Sequence, residues 1–207
     1  MASADPIVIE LPTDLPADLA PFAWLIGVWE GTGVIDYPVG DERLQGEFTH
    51  RVSFSHDGGP FLNYSGTATF LDENGAPAVA LLAETGFWRL ARPAAAADAG
   101  PALLPPTAPP VTRTVDDVEA LRAPSGGFPI EVSLAHADGA LELYLGEING
   151  PRIDIGSDAV VRSAGAKVHT ASSRMYGLVE GHLLWAWDIA ALGTPLRSHA
   201  SARLAKV

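Results

Sequence analysis

The chain has 207 residues, of which 47% are hydrophobic and 18% charged, enough apolar material to build the core of one large domain. Its formal net charge of -12 makes nucleic acids and anionic membranes unsuitable partners, because phosphates attract clusters of Lys and Arg. It has no cysteine, which excludes disulfides, thiolate metal sites, iron–sulfur clusters and cysteine nucleophiles.

The N-terminal sequence "MASADPIVIELPTDLP" has neither a basic start nor a long apolar run, so we expect no signal peptide. No segment approaches the roughly 18 apolar residues of a membrane-spanning helix, and we expect a cytoplasmic protein. The sequence after Pro16 predicts a short helix over 18–26 that ends at Gly27.

After Gly27 the pattern is that of β-strands. In 47–55 the residues Phe48, His50, Val52 and Phe54 alternate with polar ones, and "LLWAWDIA" places Leu183, Trp185, Trp187 and Ile189 on one face. Further strands are predicted over 61–70, 79–91, 130–135, 141–148, 153–162, 167–178 and 196–205. Together they give about ten strands, spaced as in an antiparallel meander.

The segment 93–129 interrupts this spacing. It is rich in Ala, Pro and Gly and predicts a surface insertion between two strands, with "TVDD" capping one helical turn. Because loop length costs little free energy, we expect the insertion to be dispensable. The chain, 1–207, is therefore predicted to be a single domain.

Ten meandering strands predict an all-β protein, a closed up-and-down antiparallel barrel with a short N-terminal helix. Closure removes the edge strands that would otherwise aggregate. A barrel of this size is too wide for side chains alone to fill, which indicates a ligand cavity.

The sequence contains no P-loop, no GxGxxG, no GxSxG and no HExxH motif, and its carboxylates form no recognisable acid–base pair. His50 lies on the apolar face of its strand, where a hydrogen-bonded core histidine is the more common case. Strict alternation groups His199 with Arg197, Ser201 and Arg203, opposite Leu196, Ala200 and Leu204. The interior of a large barrel can be polar, so the period alone does not decide which of these faces is inward.

Five blocks in chain order resemble the nitrobindins, small haem-binding β-barrels shaped like fatty-acid-binding proteins. The first, "GVWEGTG", is similar to their GxWxGxG motif, with Gly27, Trp29, Gly31 and Gly33 at the motif positions. The others are "VSFSHDGGPFLNYSG", "ETGFWRLARP", "VSLAHADGALELYLGEING" and "PLRSHASARLAK".

The resemblance implies one haem b per subunit, nitric oxide binding and isomerisation of peroxynitrite to nitrate. The family's proximal iron ligand, and with it the catalytic role, falls on His199. A lysine that contacts the haem falls on Lys167, on a predicted strand. This sequence departs from the family pattern at "YPVGDERLQGEFTHRV", where Val39 replaces a Thr and His50–Arg51 replace an acidic pair. A second histidine near the cavity could alter ligand access or coordinate the iron.

Two other functions remain open from the sequence. A carrier of a fatty acid or another small apolar ligand would use the same cavity and would need a carboxylate clamp, for which Arg174 and Tyr176 are candidates. A barrel that has lost haem binding could serve as an interaction module. The sequence also leaves open whether the protein forms a homodimer.

Overall fold

A computed structural model describes residues 15–207 of the chain, and the N-terminal stretch in which no signal peptide is expected lies outside them. Ten antiparallel strands form a closed barrel in which each strand pairs with its neighbours in sequence and the last pairs with the first. The predicted up-and-down barrel is thus confirmed. The strands are β1 Gly27–Val39, β2 Glu42–Ser55, β3 Phe61–Leu71, β4 Pro77–Leu90, β5 Phe128–His136, β6 Ala140–Asn149, β7 Arg152–Arg162, β8 His169–Val179, β9 His182–Ala191 and β10 Arg197–Lys206.

The predicted alternation holds in the strands where it was clearest. In β2, Phe48, His50, Val52 and Phe54 are all buried, and the residues between them are exposed or half-buried. A buried inner face of this kind fixes the register, because a shift of one residue would turn every apolar side chain to solvent.

The predicted N-terminal helix is present as a 3₁₀ helix, Ala17–Leu25. Pro21 lies inside it and has no N–H to donate, which disfavours a regular α-helix at this point. The helix buries Leu19, Phe22 and Leu25 completely and contacts β3, β4 and β6, so it packs across one end of the barrel. No helix of residues 15–207 combines the length and the apolar character needed to cross a bilayer.

The segment 93–129 makes up most of the connection from β4 to β5, with its last two residues already in β5, and most of its side chains are exposed. It contains one short helix, α1 Val115–Glu119, with the predicted capping box between Thr114 and Asp117. Val118 of α1 is only 3% exposed and belongs to the core cluster, and α1 contacts the N-terminal helix. Part of the segment therefore packs against the closed end of the barrel.

Candidate functional site

The open end of the barrel holds a cavity of about 330 Å³. This volume is at the lower end of the range of roughly 300–1,000 Å³ found for small-molecule and cofactor sites. Most of its wall is apolar, with a few polar groups that converge from different strands. The polar and aromatic lining residues include Tyr37, His50, Glu84, His136, Lys167, His169, Arg174, Trp185, Trp187 and His199.

His199 faces this cavity because β10 is irregular at that residue. Ser198 pairs with Asp188 and Ala200 with Trp187, so His199 is the extra residue of a β-bulge. A bulge lets two consecutive side chains take the same face of a sheet. His199 and the buried Ala200 both line the cavity, whereas strict alternation would have placed them on opposite faces.

The hydrogen bond of His199 determines which of its ring nitrogens carries the proton. Nδ1 lies 2.9 Å from the backbone oxygen of Trp187, and because a carbonyl can only accept, Nδ1–H is the donor. Burial lowers the pKa of His199 to about 4, so the ring is neutral near pH 7. Nε2 therefore keeps a free lone pair, and no described residue hydrogen-bonds to it. A neutral imidazole held through its other nitrogen is the usual form of a metal-ligating histidine.

Two aromatic rings fix the orientation of the His199 imidazole. Trp187 meets it edge-on with ring centroids 5.0 Å apart, and Tyr37 does so at 5.8 Å. Tyr37 is itself held in place, because its hydroxyl donates to the carbonyl of Ala191 (3.0 Å) and accepts from the N–H of the same residue (3.1 Å). Contacts within the protein thus hold Nε2 of His199 in a defined position.

His50 lines the same cavity and has the opposite tautomer. The indole N–H of Trp185 donates to Nδ1 of His50 over 2.9 Å, and since an indole can only donate, Nδ1 must be unprotonated. Burial lowers the pKa of His50 to about 4, so the ring is neutral and its proton lies on Nε2. The prediction of a hydrogen-bonded core histidine is confirmed, but Nε2 is buried without a partner. A buried unpaired donor costs roughly 1–3 kcal/mol.

A buried ionic network borders the cavity. Arg174, 4% exposed, donates to both carboxylate oxygens of Glu84 over 2.8 Å each and to the hydroxyl of Tyr144 over 3.0 Å. Its guanidinium also stacks on the ring of Trp187, 3.7 Å from the centroid. Burial alone would raise the pKa of Glu84, but the charge and hydrogen bonds of Arg174 outweigh it and hold that pKa below its ordinary value.

The second carboxylate of the network is Glu142. It accepts from His136 over 2.7 Å and from Ser172 over 2.5 Å, and it lies 3.5 Å from Arg174. Burial opposes ionisation here too, but His136, Arg174 and Ser172 together lower the pKa of Glu142 to about 2. The guanidinium thus faces two ionised carboxylates and is not free to clamp the carboxylate of a fatty acid.

Neither glutamate of this network is predicted from the sequence. The sequence does contain a sign of them, because each is a carboxylate on the inward, mostly apolar face of a strand. Glu84 shares that face of β4 with Trp88 and Leu90, and Glu142 shares that face of β6 with Ala140 and Tyr144. A carboxylate on an apolar strand face implies a buried cation. The partner, Arg174, lies 90 residues from Glu84 in the chain.

Lys167 lines the mouth of the cavity but does not lie on a strand, contrary to the prediction. It is exposed and belongs to the loop between Arg162, the last residue of β7, and His169, the first of β8. The backbone oxygens of Ala166 and Lys167 both accept from Arg162, over 3.3 and 3.2 Å, which ties this loop to the end of β7.

The "GVWEGTG" motif lies away from the cavity, at the closed end and along the seam between β1 and β10. A Cβ on Gly31 would lie 2.2 Å from the backbone oxygen of Arg203, and one on Gly33 would lie 2.4 Å from that of Ser201. Trp29 donates its indole N–H to the carbonyl of Leu25 over 2.7 Å, which ties the N-terminal helix to β1. The motif therefore closes the barrel, and none of its residues lines the cavity.

Comparison with known proteins gives one consistent result. A family model described as "THAP4-like, heme-binding beta-barrel domain" matches residues 18–206. A relative from Leifsonia xyli subsp. xyli named peroxynitrite isomerase is 60% identical over 199 residues, which is 96% of this chain and 99% of the relative. A second relative of that name, from Clavibacter michiganensis subsp. michiganensis, is 54% identical over 200 residues, 97% of this chain and all of the relative.

Among solved structures, the crystal structure of Rv2717c from M. tuberculosis is similar to this barrel. The TM-score is 0.63 with 24% sequence identity, and the match covers 96% of this chain and 99% of the other. At that identity the similarity supports the fold.

Proposed function

The chain belongs to the family of THAP4-like, heme-binding β-barrel domains, and we propose on that basis that it holds one haem b in its cavity and isomerises peroxynitrite to nitrate. The nitrobindin resemblance of the sequence is thereby confirmed at the level of the family. The observation that carries the proposal is the free lone pair on Nε2 of His199, whose ring is held at the cavity by the hydrogen bond from Nδ1–H to the carbonyl of Trp187.

The residues of the cavity fit haem b. His199 would supply one neutral nitrogen ligand to the iron, and the aliphatic and aromatic part of the wall would suit an apolar macrocycle. Lys167 at the mouth offers a positive charge for a propionate or for an incoming anion. When bound, ferric haem supplies a Lewis-acidic iron that can polarise an oxygen of peroxynitrite.

The chain itself has little chemistry to perform. Peroxynitrite and nitrate are isomers, so the conversion needs neither a net proton nor an electron from the protein. Neutral His199 and His50 suit such a reaction, since neither is poised to exchange protons near pH 7. The protein's part is to hold the ligand nitrogen, to exclude water with an apolar wall and to admit a small anion. Nitric oxide, a small uncharged ligand, is expected to use the same site.

Fatty-acid transport is less well supported. The clamp it needs would consist of Arg174 and Tyr176, and that guanidinium is already paired with Glu84 through both terminal nitrogens. A fatty acid would have to displace Glu84 from a buried, bidentate ion pair. The free energy lost by leaving that carboxylate unpaired would exceed the free energy gained from the new contact.

The test is haem reconstitution followed by kinetics. Wild-type protein should show the Soret band of a histidine-ligated ferric haem, accelerate peroxynitrite decay and divert it to nitrate. His199→Ala should lose most haem but stay folded, and His182→Ala, which removes a histidine outside the cavity, should behave like wild type. Equal decay rates for holo-protein, haem-free protein and His199→Ala would refute the isomerase proposal and favour the carrier.

A further inference from the structure

Several buried polar atoms of the described chain have no hydrogen-bond partner, and three of them belong to cavity-lining residues. They are Nε2 of His50, Nε1 of Trp187 and Nε2 of His169, the last of which lies 3.4 Å from an oxygen of Glu142 without forming a hydrogen bond. Buried polar groups in folded proteins are normally paired, so unpaired ones that gather at one cavity indicate a ligand that completes them. An indole N–H is a donor only, which means that Trp187 calls for an acceptor.

His50 is the best defined of the three. The residue is 6% exposed, and its ring is held between Trp185, edge-on at 5.1 Å between centroids, and Phe48 at 6.2 Å. The indole N–H of Trp185 occupies Nδ1, which leaves the proton on Nε2. In this tautomer Nε2 has no lone pair to give, so His50 cannot be a second iron ligand. It can only donate.

We propose that His50 is the positioning residue for the anion in this cavity, donating a hydrogen bond from Nε2–H to an oxygen of a small oxyanion such as peroxynitrite or its product nitrate. The proposal rests on the proposed function in so far as that function brings an oxyanion to the site. His199 and His50 then have complementary roles, one offering a lone pair and the other a proton donor.

A neutral donor suits this task better than a charged one. Peroxynitrite must bind, rearrange and leave as nitrate, so a hydrogen bond can orient the anion without trapping it in an ion pair. Burial of Nε2 strengthens such a bond, because a hydrogen bond made away from bulk water is electrostatically stronger. The pKa of His50, which burial lowers to about 4, keeps the ring neutral through the physiological range.

The first experiment compares two iron ligands in ferric haem-loaded protein. Nitrite is an oxyanion that accepts hydrogen bonds, and nitric oxide is uncharged and accepts them poorly. His50→Phe should raise the Kd of nitrite roughly tenfold to a hundredfold, the usual worth of a hydrogen bond to a charged group, and should change the Kd of nitric oxide little. His50→Gln, which keeps an N–H donor, should recover part of the nitrite affinity. Equal weakening of both ligands, or unchanged nitrite affinity, would overturn the proposal.

The second experiment needs no haem. Nitrogen-15 NMR of the haem-free protein should show the His50 proton on Nε2, and Trp185→Phe should remove that preference. Titration with nitrate should shift the Nε2–H resonance to saturation. If wild-type protein takes up no haem, the proposed function fails. The nitrate titration still tests, independently of haem, whether His50 donates a hydrogen bond to an oxyanion. An Nε2 that carries no proton, or an Nε2–H resonance that does not shift when nitrate is added, would overturn the donor role.

Discussion

His50 and His199 carry their protons on opposite ring nitrogens, although both line one cavity and both use Nδ1 for their hydrogen bond. The difference lies in the partner. The carbonyl of Trp187 can only accept and the indole of Trp185 can only donate, so one ring keeps a lone pair at Nε2 and the other a proton. Two residues of one type thus acquire different chemistry from neighbours two positions apart on β9.

The burial of His50 and His199 predicts how the stability of the protein depends on pH. Both histidines have a pKa of about 4 when folded, below the ordinary value of 6.5, so the unfolded chain binds more protons between these values. The stability of the haem-free protein should therefore fall as pH falls from about 6.5 towards about 4. Glu84 and Glu142, whose folded pKa values are also lowered, act in the same direction but only below about 4.5.

Urea unfolding across this pH range measures the effect. The double variant His50→Phe, His199→Phe should show a much shallower loss of unfolding free energy between pH 6.5 and pH 4.5. His182→Ala, which removes a histidine outside the cavity, should keep the wild-type slope. A double variant as pH-sensitive as wild type would contradict the assignment to these two rings.

Removing the cation of the buried network should be far more damaging than removing a surface one. Arg174→Met removes the guanidinium that faces the two buried carboxylates of Glu84 and Glu142, and breaking a buried ion pair in this way typically costs about 3–5 kcal/mol. Arg152→Met breaks an exposed pair with Asp154 and should leave the unfolding free energy nearly unchanged, because solvent screens that pair. Unfolding free energies of both variants at pH 7 give the comparison, and similar losses would count against a structural role for the network.

The glycine seam, which is the close contact of Gly31 and Gly33 in β1 with the backbone of β10, predicts a second contrast between two glycine substitutions. In Gly31→Ala the new methyl carbon meets the backbone of Arg203 and Leu204, which cannot move without opening the β1–β10 pairing. We expect a loss of about 1–3 kcal/mol or more, as for other overpacked sites. Gly156→Ala in β7 meets nothing within 4 Å and should be neutral or slightly stabilising. Thermal melts of both variants test this, and an undisturbed Gly31→Ala would show that the seam can widen.

The segment 93–129 should matter for stability but not for haem binding. Within α1, Val118 is 3% exposed and Val115 is 66% exposed, which makes them a matched pair. Val118→Ala should cost about 2 kcal/mol and Val115→Ala almost nothing. Replacing 94–127 with a Gly/Ser linker should lower the melting temperature yet leave the Soret band of reconstituted protein unchanged. A linker variant as stable as wild type would restore the expectation that the insertion is dispensable.

Lys167 should make a modest, salt-dependent contribution to haem retention. An exposed lysine that pairs with a propionate is worth up to about 1 kcal/mol, so Lys167→Met should speed haem loss roughly two- to fivefold at low salt and less at high salt. Lys206→Met is the control, since Lys206 lies over the ring of Trp29 at the closed end. Transfer of haem to an acceptor protein gives both rates. If the two variants lose haem equally, Lys167 has no special role.

The sequence predicts this barrel well because alternation and turn residues are local properties, as the buried face of β2 illustrates. The sequence does not decide the orientation of His199, because a bulge depends on how two strands pair. The alternation of apolar and polar residues within one strand does not reveal it. The Arg174–Glu84 pair was missed for a related reason, since only barrel closure brings residues so distant in the chain together. Lys167 is predicted on a strand because nothing local marks where the pairing of β8 with β9 stops, which is at His169.

The N-terminal helix and the glycine seam complete one end of the barrel, and the cavity occupies the other. The apolar packing of the closed end is thus separate from the cavity, and at the open end the Arg174 network is the part of the lining that also stabilises the fold. Other side chains at the open end can be substituted to suit a different cofactor or substrate while the closed end continues to stabilise the barrel. The protein is for this reason a suitable scaffold for redesign, in which a new active site can be tried without rebuilding the fold.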